Sequence, residues 1–547
     1  MILLLAACGI DSSNLETSDL DSLRIEPSEL RLETELGSPA EAQLSAILVL
    51  NDGTEIELGE ASWSSSNSSA GDVDEDGHFL SAETNGGITA IQASYLGVTG
   101  ASTVTVVYTE DIFEDGLDPS VAAGFEAAEA QGGGPELSYP PDGIRVPRNL
   151  AGLAFAWDSD QAVSRLRLQS EITDISIYTS ADGWTSTADL WERAVASNRG
   201  GEVEVTVQSG DWDGSSLSVV RQGSPLELTI NRFDARGSVL YWATSDRAIR
   251  RIPFGETAST HFWSGVDGSS CVGCHVVSNE RDLMVVTHDG INGVFEVVDI
   301  SDPADPQRTV KPDDDERFTF KTLTPDGEYI LSSNRGYFSL HKTADGAWVR
   351  DYDELPPDLS MPDISPDGRS VVFIQHGPGA GSGFEFRDGS LVVADLDPST
   401  HDITNIRTLV DTGGGLNVYY PAFSPDGEWI AYNRGDGRPY ANESSELWLV
   451  RADGGVDLRL DAANASGDLQ NSWSRWGPLP DDDVLWLAFS SRRPYSPSGF
   501  PNTQPQIWVT GIDEGLAEQG QDPSSPAFWL PGQDPQSDNH LPAWWDR

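Results

Sequence analysis

Three stretches of this chain can be laid on one another: LTPDGEYILSSNRG (323–336), ISPDGRSVVFIQHG (364–377) and FSPDGEWIAYNRGDG (423–437). Each opens on Ser or Thr followed by Pro-Asp-Gly. Proline presets one turn dihedral, aspartate bonds its own backbone, and glycine supplies a positive φ, so the quartet marks a tight turn. A short apolar run follows, the length of a buried strand rather than a helix. Two degenerate copies flank the set, VSNERDLMVVTHDG (277–290) and RWGPLPDDDVLWLAFSSRRPY (475–495). The prolines at 325, 366, 425 and 478 lie about 40 to 60 residues apart, and a second apolar strand recurs in each interval, as in GSLVVADLD, ELWLVRADG and QIWVTGIDEG. A unit of this size and content is one four-stranded propeller blade.

The S-P-D-G turn with its apolar strand resembles the TolB-like propeller repeat. That resemblance implies a propeller over 276–547. Five units are visible, and a sixth is expected from pairing 237–255 (GSVLYWATSDRAIRRIPFG) with the C-terminal strands around PAFWLPG, because a ring must close to hide its edge. About six blades are therefore expected, in an all-β fold. Composition agrees: Gly (54) and Pro (33) punctuate short Val/Ile/Trp/Tyr-rich runs, with no sustained helical period.

With 33 basic and 88 acidic residues the formal charge is −55, which excludes nucleic acid and anionic lipid as partners. A basic protein partner suits this surface. The chain starts MILLLAAC, which resembles a bacterial lipobox and implies a lipoprotein signal over 1–8, with Cys8 lipidated. It lacks the usual basic n-region. No other apolar run nears the ~18 residues of a membrane span. The expectation is an exported lipoprotein held on the outer membrane by lipid alone, facing periplasm or cell surface.

Residues 9–23 read as an acidic tether. From 24 to 108 the chain alternates like half-buried strands, and WSSSN (63–67) with NGGITAIQA (85–93) resembles a group-two bacterial Ig-like domain. That implies a β-sandwich spacer. Inside it Asp72, Asp74, Asp76, Gly77 and Glu83 match an EF-hand calcium loop, but strands flank them where helices are required. A hairpin turn accounts for the same residues. Residues 109–137 read as a low-complexity linker, and 138–255 as a second Ig- or fibronectin-like sandwich.

Residues 256–280 hold the chemistry. Cys271, Cys274 and His275 spell C-x-x-C-H, the attachment signature of a c-type haem. The cysteines would form thioethers with the porphyrin vinyl groups, and the histidine would be the proximal iron ligand. A Cys271–Cys274 disulfide and a metal site are the alternatives. His540, in an aromatic tail expected to return to the start of the ring, and Met361, before a blade turn, are the candidate distal ligands; an open position is the third option. Met284, in the alternating DLMVV, reads as core, and Trp263, Trp544 and Trp545 as neighbours of the porphyrin. Residues 138–547 also resemble a family of exported TolB-like propellers of myxobacteria that carry one C-x-x-C-H, which favours His540 further.

Three functions follow. One is a surface cytochrome passing or sensing electrons with a redox partner. Another is a TolB-type binding or assembly module whose propeller face grips a protein and whose haem is structural. The third is a haem-dependent oxidoreductase or peroxidase, for which no catalytic residues stand out; no G-x-S-x-G elbow is present.

Overall fold

The Ser/Thr-Pro-Asp-Gly turns fold alike, and each joins the first two strands of a sheet. In the computed structural model the Ser365 hydroxyl donates to Asp367 (2.6 Å) and accepts from the Ser370 amide (2.9 Å), while Asp367 accepts from the Arg369 amide (3.0 Å). Thr324 and Ser424 repeat the pattern with Asp326 and Asp426. Gly327, Gly368 and Gly427 close the turns at φ +65, +70 and +79, where a β-carbon is strained. The motif is a self-contained hydrogen-bonded cycle, which is why it recurs almost unchanged.

The structure describes residues 16–265, 271–289, 293–310, 317–377, 385–412, 415–480, 484–495 and 504–547. Cys8, and with it the expected lipoprotein signal, lies outside them. The fold is all-β. The chain divides into two compact units, one of Met1–Leu137, Trp157–Trp184 and Asp189–Ile230, the other of Ser138–Ala156, Thr185–Ala188 and Asn231–Arg547. Among the described residues no helix is long and apolar enough to cross a membrane.

The first unit departs from the expected boundaries. The stretch expected as a tether already contains the start of strand Leu20–Glu26, and the expected linker holds the end of Val98–Phe113 and a helix, Ser120–Ala127. Val98–Phe113 pairs antiparallel with Gly87–Tyr95, then runs on to pair parallel with Thr173–Thr179. One sheet thus joins strands assigned by sequence to two separate sandwiches. The core of its N-terminal part gathers Ile25, Leu48, Phe79, Ile91 and Val104. Asp74 lies in a hairpin between Gly71–Val73 and His78–Ser81, accepting from the Asp76 and His78 amides at 3.0 and 2.9 Å. Gly77 is required there, since a β-carbon would sit 2.5 Å from the Leu44 carbonyl.

Among the described residues the second unit contains six antiparallel sheets in chain order, five of four strands and one, the second, of five, where Arg317–Phe318 also pairs with Gly293–Asp299. Their innermost strands are Asn539–Trp545, Val272–Ser278, Phe320–Leu323, Leu359–Ile364, Asn417–Phe423 and Ser472–Trp476. Each neighbours the next, and Ser472–Trp476 returns to Asn539–Trp545, so the six form a circuit. The first sheet combines three early strands, Ser238–Ala243, Ala248–Pro253 and Thr260–Ser264, with the C-terminal strand. Two expectations change. Residues 238–264 supply three strands of this sheet, in line with the expected pairing of 237–255 with the C-terminus, which moves them out of the expected sandwich (138–255) and attachment segment (256–280). Closure is made by Asn539–Trp545, while Phe528–Trp529 of PAFWLPG is the outer strand of the sixth sheet.

Removing residues 539–547 strips the first sheet of its innermost strand and exposes the edge of Ser238–Ala243. We expect the truncated chain to lose its cooperative urea transition, as followed by tryptophan fluorescence. Ser424→Ala, which removes the bonds to Asp426 and to the amide of buried Trp429, is expected to cost about 1–2 kcal/mol in the same assay.

Candidate functional site

Five of the six innermost strands carry the same irregularity. Cys274, Met361, Tyr420, Trp473 and Leu541 all have positive φ, between +43 and +58. At each, the register with the neighbouring strand slips, as between Gly273 and Val276 or Ser360 and Asp363. Such bulges bend a strand and re-aim its side chains. A non-glycine residue held in the left-handed region costs about 1–3 kcal/mol, so the surrounding ring must impose it. The five residues, joined by Phe320 from the third sheet, meet in one apolar cluster. Tyr420 and Trp473 stack with ring centroids 3.7 Å apart, and Phe320 lies 6.0 Å from Trp473. One side chain from each sheet therefore forms a layer across the ring.

The C-x-x-C-H segment is part of this device. Cys271 immediately precedes Val272–Ser278, and Cys274 is that strand's bulge residue and its contribution to the layer. Cys271 is pinned by Asp289, whose carboxylate accepts from its amide (3.0 Å) and whose amide donates to its carbonyl (2.7 Å). Both thiols are free and half-buried, so the disulfide reading is not what this structure contains. Burial pushes the Cys271 thiol above its ordinary value, with the neighbouring Trp242 indole pulling partly back. A thiol held protonated is a poor dithiol-exchange nucleophile. Trp242 packs against the layer beside Cys274, and a β-carbon on Gly273 would come within 3.2 Å of its indole.

His275 points elsewhere. The bulge turns its imidazole to the other side of the layer, where it is buried, bonds the Leu240 carbonyl through Nε2 (3.3 Å) and lines a cavity that Cys274 does not line. Its Nδ1 is buried without a hydrogen-bond partner. Burial lowers its pKa to about 3, so the ring is neutral at physiological pH. As arranged here, the thiols and this imidazole do not face one porphyrin.

The other candidates separate clearly. Met361 is in the layer, but its sulfur already accepts from the Tyr420 amide at 3.2 Å. His540 is on the thiol side: it lies opposite Trp242 across the closing strand pair, with ring centroids 6.2 Å apart. Its Nε2 meets the Asp538 carboxylate at 2.6 Å. Around the Trp242 indole the structure therefore gathers Cys271, Cys274 and His540. Met284 is fully buried core. Trp263 and Trp545 are committed to Glu296 (2.6 Å) and Asp282 (3.1 Å), and Trp544 stacks on Phe254 at 4.9 Å. Among the described residues no three His, Cys, Asp or Glu side chains are grouped to hold a metal ion, and Asp72, Asp74, Asp76 and Glu83 form no such group.

Sequence reasoning passed over Trp242, and over the bulges because none of their residues is glycine or asparagine. A signal was present. In Met361-Pro362, Tyr420-Pro421 and Leu541-Pro542 a proline interrupts an apolar strand, and prolines inside sheets mark bulges.

No family model matches the chain, and no curated protein matches it. Among solved structures it is similar to hydrazine synthase of Kuenenia stuttgartiensis (16% identity, 51% of this chain and 75% of that one, TM-score 0.33). It is likewise similar to the Swd1 β-propeller domain of Myceliophteria thermophila (14%, 53% and 90%, TM-score 0.33) and to a chain of a nidogen/laminin complex (11%, 56% and 97%, TM-score 0.36). At these scores nothing about function is carried over.

The buried neutral imidazole has a measurable consequence in the chain purified without haem. The unfolded chain protonates His275 near its ordinary pKa, whereas the native chain does so only near 3. The stability this supplies is complete above about pH 6.5 and is lost as pH falls towards 3. Between pH 7.5 and pH 5 the wild type should lose about 2 kcal/mol more than His275→Gln in urea denaturation.

Proposed function

We propose that the second unit is a six-bladed β-propeller carrying a covalent haem at the Cys271–Cys274 end of its ring, in an exported lipoprotein anchored through Cys8 that transfers or senses electrons at the membrane surface. Six sheets of four or five strands in chain order, with innermost strands in a circuit and the first sheet completed from the C-terminus, support the propeller reading. The observation that carries the haem reading is the gathering of two unbridged thiols and His540 around Trp242.

The fit of haem to these residues is specific. Cys271 and Cys274, spaced for two thioethers, are the attachment points. His540, rather than His275, is the imidazole on that side, with its Nε2 beside the Asp538 carboxylate. Ligating histidines are commonly oriented by such a carboxylate. Haem, when bound, supplies one-electron redox chemistry. The chain's own residues bind it, orient His540 and, through the Met361, Tyr420, Trp473 and Leu541 layer, keep water from entering along the ring. The acidic surface favours a basic redox partner.

The test is expression of the full chain with a c-type haem attachment system. A haem-stained band surviving denaturing electrophoresis is expected in the wild type and lost in Cys271→Ser and Cys274→Ser. Absence of the band in the wild type defeats the reading. His540→Ala is expected to keep the band and shift the ferric absorption spectrum towards high spin; an unchanged spectrum removes His540 as a ligand.

A further inference from the structure

Beside the apolar layer, residues of the innermost strands and the segments that follow them line a half-open axial cavity of about 410 Å3. That volume suits a small molecule. Two cations face it. Lys321 is about 5% exposed, and its ammonium donates to the Cys274 carbonyl. Arg475 donates to the carbonyl of its neighbour Ser474 at 2.8 Å. Neither makes an ion pair with a carboxylate among the described residues, although the chain has 88 acidic residues for 33 basic ones. Asp363 shares the cavity, accepts from the Thr322 hydroxyl (3.1 Å) and the Phe423 amide (2.8 Å), and supplies the negative charge that Arg475 feels, which leaves Lys321 as the cation without a carboxylate.

Several other buried charges in this protein are ion-paired, whereas buried Arg493 is held by a hydroxyl, a carbonyl and an amide oxygen. Glu296, fully buried, meets Arg308 at 2.5 Å, and half-buried Arg193 meets Glu110 at 2.8 Å. A buried cation without a counter-charge is strongly unfavourable. Burial lowers the Lys321 amine to about 8 and pulls the Arg475 guanidinium down as well. Lys321, buried on this cavity with a carbonyl as its hydrogen-bond partner and no carboxylate, marks a place where an anion can be received.

The surroundings narrow its chemistry. Asp363 inside and Glu280 and Asp546 on the lining disfavour a multiply charged anion. Phe423, Trp476 and Trp544 supply apolar wall, and both indole N–H groups are already bonded, to the Ala422 and Arg236 carbonyls at 3.0 and 2.8 Å. We propose that this axial cavity binds a small monocarboxylate with an apolar or aromatic body, its carboxylate held by Lys321 and Arg475 and its body against Phe423, Trp476 and Trp544. Cys274 does not line this cavity, though its carbonyl accepts from Lys321, and the binding proposed here does not require attached haem.

The test is calorimetric titration of the full chain with benzoate, and with inorganic phosphate at matched ionic strength. Saturable benzoate binding is expected, with phosphate at least tenfold weaker. Lys321→Met should weaken benzoate by about tenfold or more, the scale of losing one charge-assisted hydrogen bond. Because it deletes an unpaired buried charge, it should melt no lower than wild type without ligand. Arg475→Gln is the second variant, expected to weaken benzoate to a similar degree, and decides the matter if Lys321→Met fails to fold. The proposal is overturned if benzoate does not bind saturably, if the folded variants bind it like wild type, or if phosphate binds more tightly.

Discussion

Everything in the second unit rests on the pairing of Asn539–Trp545 with Ser238–Ala243. These segments lie nearly 300 residues apart, and their union turns a series of six sheets into a circuit with no free inner edge. The strand is completely buried, and its residues work on several sides: Leu541 joins the apolar layer, Trp545 enters the core between the first two sheets, and His540 stands across from Trp242. An interaction of such long range is slow to form and hard to lose piecemeal. The five strained residues of the inner strands also depend on it, because only a closed ring holds all of them against relaxation at once.

The bulge explains how one short motif comes to have two faces. In a regular strand, neighbouring side chains alternate across the sheet, and Cys274 and His275 would simply lie on its two sides. Here the bulge puts Cys274 into the apolar layer while His275 lines the cavity beside it. A half-buried thiol pair and a buried, neutral imidazole thus meet different surroundings. C-x-x-C-H on a helix directs its three groups to one cofactor; on this strand it divides them.

The parts of the molecule legible in sequence are those whose physics is local. The Ser/Thr-Pro-Asp-Gly turn satisfies its own hydrogen bonds within six residues, so it announced the sheets, their spacing and the all-β class. Cys271 and Cys274 were found from spacing alone. Boundaries were less legible: residues 109–137 have the composition of a linker, yet their first five extend a strand because distant Thr173–Thr179 offers them a partner. Lys321 and Arg475 went unnoticed for a related reason. A lone charge in FKTL or SWSRW carries no motif, and its meaning emerges only when the other strands bring a second buried cation to the same cavity.

Closure from the far end also sets an order of events. As the chain is made, the first sheet has only three strands until residues 539–545 are available, and Val272–Ser278 meanwhile lacks the neighbour that will cover one of its sides. Cys271 and Cys274 emerge some 265 residues before that neighbour. Any enzyme that modifies these thiols thus has a long interval in which they stand open beside an unfinished ring, and the arrival of the last strand seals whatever has been attached.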